Sequence, residues 1–415
     1  MTRALLVDLD DTLLENDVGR FIAAYFDLLA GDLSAFGPKE EVLRAILGGT
    51  KAMLASNDPQ RSLADVFYDS FLGATGAAHA DVAPVVSTFY ARTYPRLAYL
   101  TQPKPGAAEL LDAARTKGLD LAVATNPLMV RSAIEFRLAW AGVPVGTFDY
   151  ALITDVETFH FAKPRLSYYA EALGRLGLLP GEAAMVGNDP TEDLAPAAAL
   201  GLAVFHVSDT PQHGMAGGSL REAARWLQTD PAGDPIAANR PESLIARMEG
   251  QLAALLTKIR QLGEDGLLRA EGEDGLAPLL VICHLRDVDR EINLPRLQAF
   301  LENDNPFLSS VDTHEWIQQR AYDRENPETA VRGYIAARQE VLESLRDLSL
   351  EQWDRRARHS LFGPITLSEW IALLAEHDLR HAAKIRFEPR SAGQEAAVWP
   401  EVGIQNRSHL PSEME

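Results

Sequence analysis

Residues 4–15 read ALLVDLDDTLLE, an apolar run that leads into three carboxylates, Asp8, Asp10 and Asp11. The run at residues 4–7 predicts a short strand buried on both faces, because its residues are apolar without alternation. Carboxylates crowded at the end of a strand repel one another unless a cation neutralises them. Mg²⁺ prefers hard oxygen ligands, typically one or two carboxylates together with substrate phosphate oxygens. The stretch therefore predicts a magnesium site at the end of the first strand.

The chain on either side of this stretch predicts an α/β fold with a parallel sheet. Further apolar runs follow at residues 119–125, 150–156, 183–187 and 202–207, and helical patterns lie between them. This alternation is typical of βαβ units. Residues 16–100 separate the first two strands and have helical patterns throughout, so they predict a helical insertion. In open α/β sheets, ligands bind at the carboxyl ends of the strands, where such an insertion would lie.

Polar residues follow the other predicted strands in a consistent order. The second strand is followed by Thr125 and Asn126, and Lys163 comes after the third. The fourth strand is followed by Asp189 and Asp193. Because parallel strands end at the same edge of a sheet, we expect these side chains to lie near Asp8.

This order resembles the haloacid dehalogenase superfamily of phosphohydrolases, and the resemblance covers residues 1–228. The sequence DLDDT at residues 8–12 matches the family's first motif, DxDxT. The resemblance implies that Asp8 is the nucleophile and Asp10 the general acid/base, while Thr125 binds a phosphoryl oxygen and Lys163 assists. It also implies Mg²⁺ bound by Asp8, Asp10, Asp189 and Asp193, substrate contact by Asn126, and a helical cap at residues 16–100.

Asp10 favours a phosphatase over a dehalogenase. An alkoxide leaving group needs a proton, whereas a halide leaves without one. The sequence departs from the family in one place, because Asn188 follows Gly187 where the family usually has Asp. Either Asp189 supplies the metal carboxylate from a shifted turn, which we prefer, or the Asn188 amide oxygen does so with lower affinity.

The second half of the chain has a different sequence pattern. Residues 229–241 are rich in Pro, Gly and Asp and predict a linker. Residues 242–387 show long amphipathic helical patterns and no convincing strand, which predicts a bundle of about four helices. Residues 388–415 predict an irregular tail. From the linker and the change from alternating to all-helical patterns, we expect the two halves to fold independently.

Three histidines in the second half form a candidate metal site. His377 and His381 are four residues apart and share one helix face, and His284 lies on an earlier helix. The sequences around them resemble DinB-like domains, four-helix bundles with a histidine triad, and these three histidines fall on the triad positions. The resemblance implies a divalent transition metal, Zn²⁺, Ni²⁺ or Fe²⁺, which imidazole suits better than Mg²⁺.

Composition restricts the partners. The formal net charge of −20 argues against nucleic acid and anionic membrane surfaces, which attract clustered Lys and Arg. The amino-terminal sequence has no signal-peptide pattern and the single Cys283 allows no intrachain disulfide, so we expect a cytoplasmic protein. The sequence predicts no oligomeric state.

The leading interpretation is an enzyme that hydrolyses small phosphorylated metabolites with Mg²⁺, through an aspartyl-phosphate, fused to a metal-binding bundle. The alternative is a metal-dependent transferase or binding protein whose chemistry lies in the bundle and whose first half is degenerate. Asn188 is the sequence feature that bears on this choice.

Overall fold

A computed structural model of the chain describes residues 1–269, 276–313 and 315–385. The predicted tail, residues 388–415, and the last predicted bundle residues, 386–387, lie outside the described residues. In chain order the strands are β1 (Ala4–Val7), β2 (Leu14–Asn16), β3 (Thr101–Pro103), β4 (Asp120–Val123), β5 (Tyr150–Ile153), β6 (Ala183–Gly187), β7 (Ala203–Val207), β8 (Gly217–Gly218), β9 (Phe307–Leu308), β10 (Arg356–His359) and β11 (Gly363–Thr366).

The helices divide into two groups along the chain. Those of the first half are α1 (Val18–Asp32), α2 (Lys39–Ala55), α3 (Leu63–Thr75), α4 (His79–Thr88), α5 (Ala107–Thr116), α6 (Arg131–Trp140), α7 (Leu166–Leu176), α8 (Ala195–Ala199) and α9 (Leu220–Leu227). Those of the second half are α10 (Pro241–Leu268), α11 (Pro278–Val288), α12 (Leu294–Glu302), α13 (Trp316–Gln319), α14 (Pro327–Arg346), α15 (Leu350–Trp353) and α16 (Leu367–Lys384). Among the described residues, no helix is long and apolar enough to cross a membrane.

The main sheet confirms the predicted parallel α/β fold. Its strand order is β5-β4-β1-β6-β7-β8, and every pairing is parallel. Strand β1 is central, with Val7 level with Val123 of β4 on one side and Val186 of β6 on the other. Asp8 therefore leaves the sheet between the ends of two neighbouring strands.

Both faces of the sheet are buried because successive residues of a strand point to opposite sides. Leu5 and Val7 of β1 belong to a core that includes residues of α5, α6 and α9. Ala4 and Leu6 belong to a second core that includes residues of α7 and α8. This arrangement explains the continuous apolar run in the sequence.

The insertion after β1 is helical, as predicted, and contacts the rest of the first half at several places. Its two ends form the short antiparallel ribbon β2–β3, which the sequence did not predict. The start of α3 also bonds to the loop after β5, since the backbone N–H of Leu63 donates to Phe159 O at 2.8 Å and that of Ala64 donates to Val156 O at 2.9 Å. We call residues 17–100 the cap.

The second half is a helical bundle with one addition. Its long helices are α10, α11, α14 and α16. The expectation of no strand was wrong, because β9, β10 and β11 form a three-stranded sheet. In β10 exposed and buried residues alternate, with Ala357 and His359 inward, but four residues are too few for a clear sequence pattern.

Helix α10 joins the two halves. Ala246 and Ala253 of α10 lie in the same core as β1 and α7. At Gly250 the helix backbones approach so closely that an added Cβ would lie 2.8 Å from the Cβ of Ala170 and would also meet the backbone of Glu171. This shared apolar contact argues against independent folding. The composition of residues 229–241 indicates a linker, but it does not indicate which faces of the following helix, α10, become buried.

Candidate functional site

Lys163 is the centre of the site at the carboxyl edge of the sheet. Its Nζ donates to Asp8 Oδ1 at 2.8 Å and to Asp193 Oδ1 at 2.5 Å. All three side chains are buried, with residue exposures of 3%, 5% and 2%. The structure therefore brings together residues that follow β1, β5 and β6, as the topology predicted.

The charges of this group are strongly coupled. Burial alone would lower the pKa of Lys163, but Asp193 and Asp8 raise it well above its ordinary value. Burial and the Asp8 carboxylate raise the pKa of Asp193 to about 7, against the attraction of Lys163. The ammonium group is therefore held protonated, with two acidic groups competing for it.

Asp10 lies beside this group and pairs with a residue that the sequence interpretation missed. Its Oδ1 accepts from Asn16 Nδ2 at 2.6 Å and forms an ion pair with Arg137 of α6. Arg137 is 4% exposed, and its guanidinium lies 4.9 Å from the ring centre of Phe21 in the cap. Burial lowers the pKa of Arg137 to about 10, although Asp8 opposes this.

Several polar atoms near these residues are buried without a hydrogen-bond partner. They are Oδ1 of Asn126, Oδ1 of Asn16 and Nε of Arg137. Such orphaned groups are uncommon in folded proteins and mark places where a ligand or water is expected. Thr125 is also buried, and its backbone oxygen accepts from Thr154 Oγ1 and Tyr168 Oη, each at 2.7 Å.

The turn after β6 places the two candidate metal ligands that follow this strand, Asp189 and Asp193, in different environments. Asp193 approaches the strand end closely because residue 187 is glycine; a Cβ there would lie 2.6 Å from the Cβ of Asp193. Asp189 is exposed, and its Oδ1 accepts from the backbone N–H groups of Thr191 and Glu192 at 2.7 and 2.9 Å. Its carboxylate thus caps the π-helical turn Pro190–Leu194.

Asn188 occupies the position where the family usually has Asp. Its Oδ1 accepts from the hydroxyl of Thr12 at 2.9 Å, so the amide oxygen is already engaged. Thr12 is the last residue of the DLDDT stretch and is fully buried. The preference for Asp189 over Asn188 as a metal ligand therefore gains no support from either side chain.

The oxygen donors of Asp8 and Asp193 fit Mg²⁺, a hard cation. Both carboxylates contact the same ammonium group, so they lie on one small region of the sheet edge. Asp10 and Asp189 are engaged by Arg137 and by the turn. Among the described residues, no three of these acids have ligand atoms all within 4.8 Å of one another, unlike the histidines below.

His284, His377 and His381 form the second candidate site. One ring nitrogen from each lies within 4.8 Å of the other two. The ring centres are 4.3 Å apart for His377 and His381 and 4.6 Å apart for His284 and His381. His284 on α11 is buried, whereas both histidines of α16 are partly exposed. Three nitrogen ligands suit a divalent metal, which in a site with three protein ligands also binds water or substrate.

The electrostatics around His381 favour neutral imidazole, the form that binds metal. Burial, His377 and His284 lower the pKa of His381 to about 3. On the other side of His377, burial would raise the pKa of Asp378, but Arg338 and His377 hold it below its usual range. The cluster therefore combines a neutral nitrogen donor with a neighbouring carboxylate.

Sequence analysis missed Arg137, Arg338 and Asp378, although a signal for the two arginines was present. Arg137 lies on the buried face of α6 with Ile134 and Leu138, and Arg338 lies on the buried face of α14. A charged residue at an apolar position of an amphipathic helix needs a buried partner. Neither arginine belongs to a strand-end motif or a histidine spacing, the patterns used to find the sites.

Family comparisons agree with this architecture. A family model for haloacid dehalogenase-like hydrolases matches residues 2–201. A model for the DinB superfamily matches residues 247–385. The first half of the chain is thus a haloacid dehalogenase-like hydrolase domain, and the second half is a DinB-like domain. No curated protein matches the chain.

Solved structures with similar folds cover one half of the chain each. The haloacid dehalogenase-like phosphatase from Thermococcus onnurineus is 21% identical over 55% of this chain and 98% of that one, with a TM-score of 0.35. The L-2-haloacid dehalogenase from Xanthobacter autotrophicus is 19% identical over 51% and 80%, with a TM-score of 0.31. YfiT from Bacillus subtilis, a four-helix bundle protein, is 18% identical over 42% and 89%, with a TM-score of 0.29. Similarities this weak carry no argument about activity.

Proposed function

We propose that the first half is a Mg²⁺-dependent phosphatase of small phosphorylated metabolites that acts through an aspartyl-phosphate on Asp8. The observation that carries this proposal is the contact of Lys163 with both Asp8 and Asp193. Asp10 lies two residues beyond Asp8, and the buried Asn126 oxygen has no hydrogen-bond partner. A nucleophile, an acid/base and a cation at one sheet edge are the groups that phosphoryl transfer to a carboxylate requires.

The reaction would proceed in two displacements. A carboxylate oxygen of Asp8 attacks phosphorus, the bond to the substrate oxygen breaks, and Asp10 gives that oxygen a proton. Asp10 then takes a proton from water, which attacks phosphorus and releases phosphate and the free Asp8 carboxylate. Lys163 and Thr125 would stabilise phosphoryl oxygens in both steps. Mg²⁺ held by Asp8 and Asp193, with Asp10 and Asp189 as the other predicted ligands, would neutralise charge between nucleophile and phosphate.

The pair between Asp10 and Arg137 affects how Asp10 enters this cycle. A guanidinium partner favours the ionised carboxylate, which can act as a base but not as an acid. Proton donation to the leaving group therefore requires that substrate binding separates Asp10 from Arg137. A dehalogenase would not need this step, because halide leaves without a proton.

Hydrolysis of p-nitrophenyl phosphate by the full chain, with and without Mg²⁺, tests the proposal. Asp8→Asn should abolish turnover, because an amide is not a nucleophile here. Asp120→Asn is a matched control at the opposite edge of the same sheet, where the side chain is exposed, and should keep wild-type turnover. Wild-type turnover in Asp8→Asn would refute the mechanism. Halide release from L-2-chloropropionate without phosphatase activity would favour a dehalogenase.

For the second half we propose a site for one transition-metal ion, Zn²⁺, Ni²⁺ or Fe²⁺, bound by His284, His377 and His381. The convergence of three ring nitrogens within 4.8 Å supports it. A metal with open positions could serve a transferase or a binding function. This is the second candidate function, and it stands even if the first half is inactive.

Elemental analysis of the full chain, purified without a histidine tag, tests the metal site. We expect one ion per chain, retained through dialysis and lost in His377→Ala. His79→Ala, a change at an exposed histidine of the cap, should keep the ion. A wild-type chain that stays empty after incubation with Zn²⁺ and with Ni²⁺ would refute the site.

A further inference from the structure

A buried chain of hydrogen bonds lies behind the histidine cluster. Asn293 Nδ2 donates to Asp289 Oδ1 at 2.8 Å. Arg338 donates to Asp289 from Nε at 2.8 Å and from a terminal nitrogen at 3.1 Å. Another terminal nitrogen of Arg338 donates to Asp378 Oδ2, and Asp378 Oδ1 lies 3.1 Å from Nδ1 of His377. The chain thus runs from the π-helical turn after α11, through α14, to the histidine helix α16.

The burial of this chain is unusual for charged groups. Arg338 and Asp289 are fully buried, and Asp378 is 3% exposed. Replacing such an ion network with apolar residues is often neutral or stabilising, so its presence is weak evidence for a role in stability alone. Two carboxylates share one guanidinium here, which leaves negative charge directed towards His377.

We infer that Asp378 is a positioning residue that orients His377 for metal binding and is itself held by Arg338. A carboxylate can only accept a hydrogen bond, so the contact assigns the proton to Nδ1 of His377. Nε2 of His377 then carries the lone pair, so it is the nitrogen that can bind a metal. A carboxylate in this position fixes the ring and raises the basicity of the ligand. The inference rests on the metal site proposed above.

Metal affinity of the full chain tests the inference. Stripped protein is titrated with Zn²⁺ alone against a chromophoric chelator. Asp378→Asn should weaken binding by about 10–100-fold, the usual effect of removing such a partner. Glu376→Gln is the matched control, because Glu376 precedes His377 on the same helix but pairs with Arg380 at 3.1 Å. Its affinity should equal that of the wild type.

A double substitution separates orientation from general structural damage. If Asp378 acts through His377, then His377→Ala and the pair His377→Ala with Asp378→Asn should bind Zn²⁺ equally weakly. A further loss in the double variant would mean that Asp378 acts elsewhere and would overturn the inference. Circular dichroism and urea unfolding of each stripped variant show whether the fold is intact.

The possible failures are distinct. A wild-type chain that binds no metal refutes the proposed site and with it the role of Asp378. A wild type that binds Zn²⁺, together with Asp378→Asn of equal affinity, overturns only the positioning role. If Asp378→Asn does not fold, Asp378→Glu replaces it, since it keeps the charge beside Arg338 but displaces the carboxylate. Wild-type affinity in that variant would also overturn the inference.

Discussion

The two candidate sites differ in how their charges are balanced before any ligand binds. At the sheet edge, Lys163 already lies between Asp8 and Asp193, and Arg137 already pairs with Asp10. The histidine cluster instead gathers imidazoles, and His381 is held neutral there. A phosphorylated substrate and its cation must rearrange existing ion pairs at the first site, whereas a metal ion at the second meets His381 in its neutral form.

The sites also differ in the structural elements that position their residues. The first is assembled from loops at the ends of several strands and is covered by the cap, whose Phe21 packs against Arg137. The second lies between two helices, α11 and α16, and is supported by a buried ion network. Substitutions at the first site should therefore change catalysis with little effect on the bundle, and the reverse should hold for the second.

The largest expected effect tests this separation. Asp10→Asn should lower kcat for p-nitrophenyl phosphate by about 10²–10⁴-fold, because the amide cannot transfer the proton. Metal content at the histidines should not change, since Asp10 contacts only residues of the first half in the described structure. Steady-state kinetics and elemental analysis on one preparation measure both. Loss of the bundle metal in Asp10→Asn would contradict the separation of the two sites.

The ion pair between Asp10 and Arg137 allows a second test at the sheet-edge site. Arg137→Gln should also lower kcat, because without the guanidinium the ionised form of Asp10, which acts as the base in the second displacement, is less favoured. The effects of Asp10→Asn and Arg137→Gln should not add in the double variant, as expected for residues that act as a unit. Fully additive losses in log kcat would show that Arg137 acts on the reaction independently of Asp10.

Much of the fold could be predicted because buried parallel strands leave a simple signal. The five apolar runs correspond to β1, β4, β5, β6 and β7 of the sheet. The two-residue strands β8 and β9 are too short for any periodicity. The shared interface was missed although α10 is buried on most of its circumference, a pattern of small and apolar residues that indicates a helix between two partners.

The candidate sites were predictable to the extent that topology or helix spacing brings residues together. Strand ends place Asp8, Lys163 and Asp193 at one edge, and i, i+4 spacing places His377 beside His381. For Arg137, the apolar face of α6 indicates that the charge is buried, but the partner lies on another element and is fixed by packing, which no local pattern describes. The use of Asp189 as a turn cap likewise depends on the backbone after β6, which motif spacing does not describe.

An intermediate effect is expected where the two halves meet. Gly250→Ala should destabilise the protein by about 1–2 kcal/mol, because the added methyl meets Ala170 and Glu171 and outweighs the gain in helix propensity. Gly48→Ala is the matched control, since Gly48 is an exposed residue inside α2 whose nearest neighbour would be Ser70 Oγ at 3.9 Å. It should stabilise by about 0.5–1 kcal/mol. Urea unfolding measures both, and stabilisation by Gly250→Ala would contradict the close contact.

The smallest expected effect concerns pH and the second site alone. Burial and the neighbouring histidines lower the pKa of His381 to about 3 in the folded chain. In the unfolded chain the histidine pKa is about 6.5. Between these values the unfolded chain binds a proton that the folded chain does not, so stability falls as pH falls. Above the higher value neither state binds the proton, and His381 adds no pH dependence.

His381→Gln isolates this contribution from the many carboxylates that titrate in the same range. With metal removed by a chelator, the wild type should lose about 1 kcal/mol more stability than His381→Gln between pH 6.5 and 5.5. Urea unfolding at each pH gives the slope of stability against pH for the wild type and for His381→Gln. The difference between the two slopes is the contribution of His381. Equal slopes would mean that His381 takes up a proton as readily in the folded protein as in the unfolded chain, which would contradict the neutral His381 that distinguishes this site from the sheet-edge site.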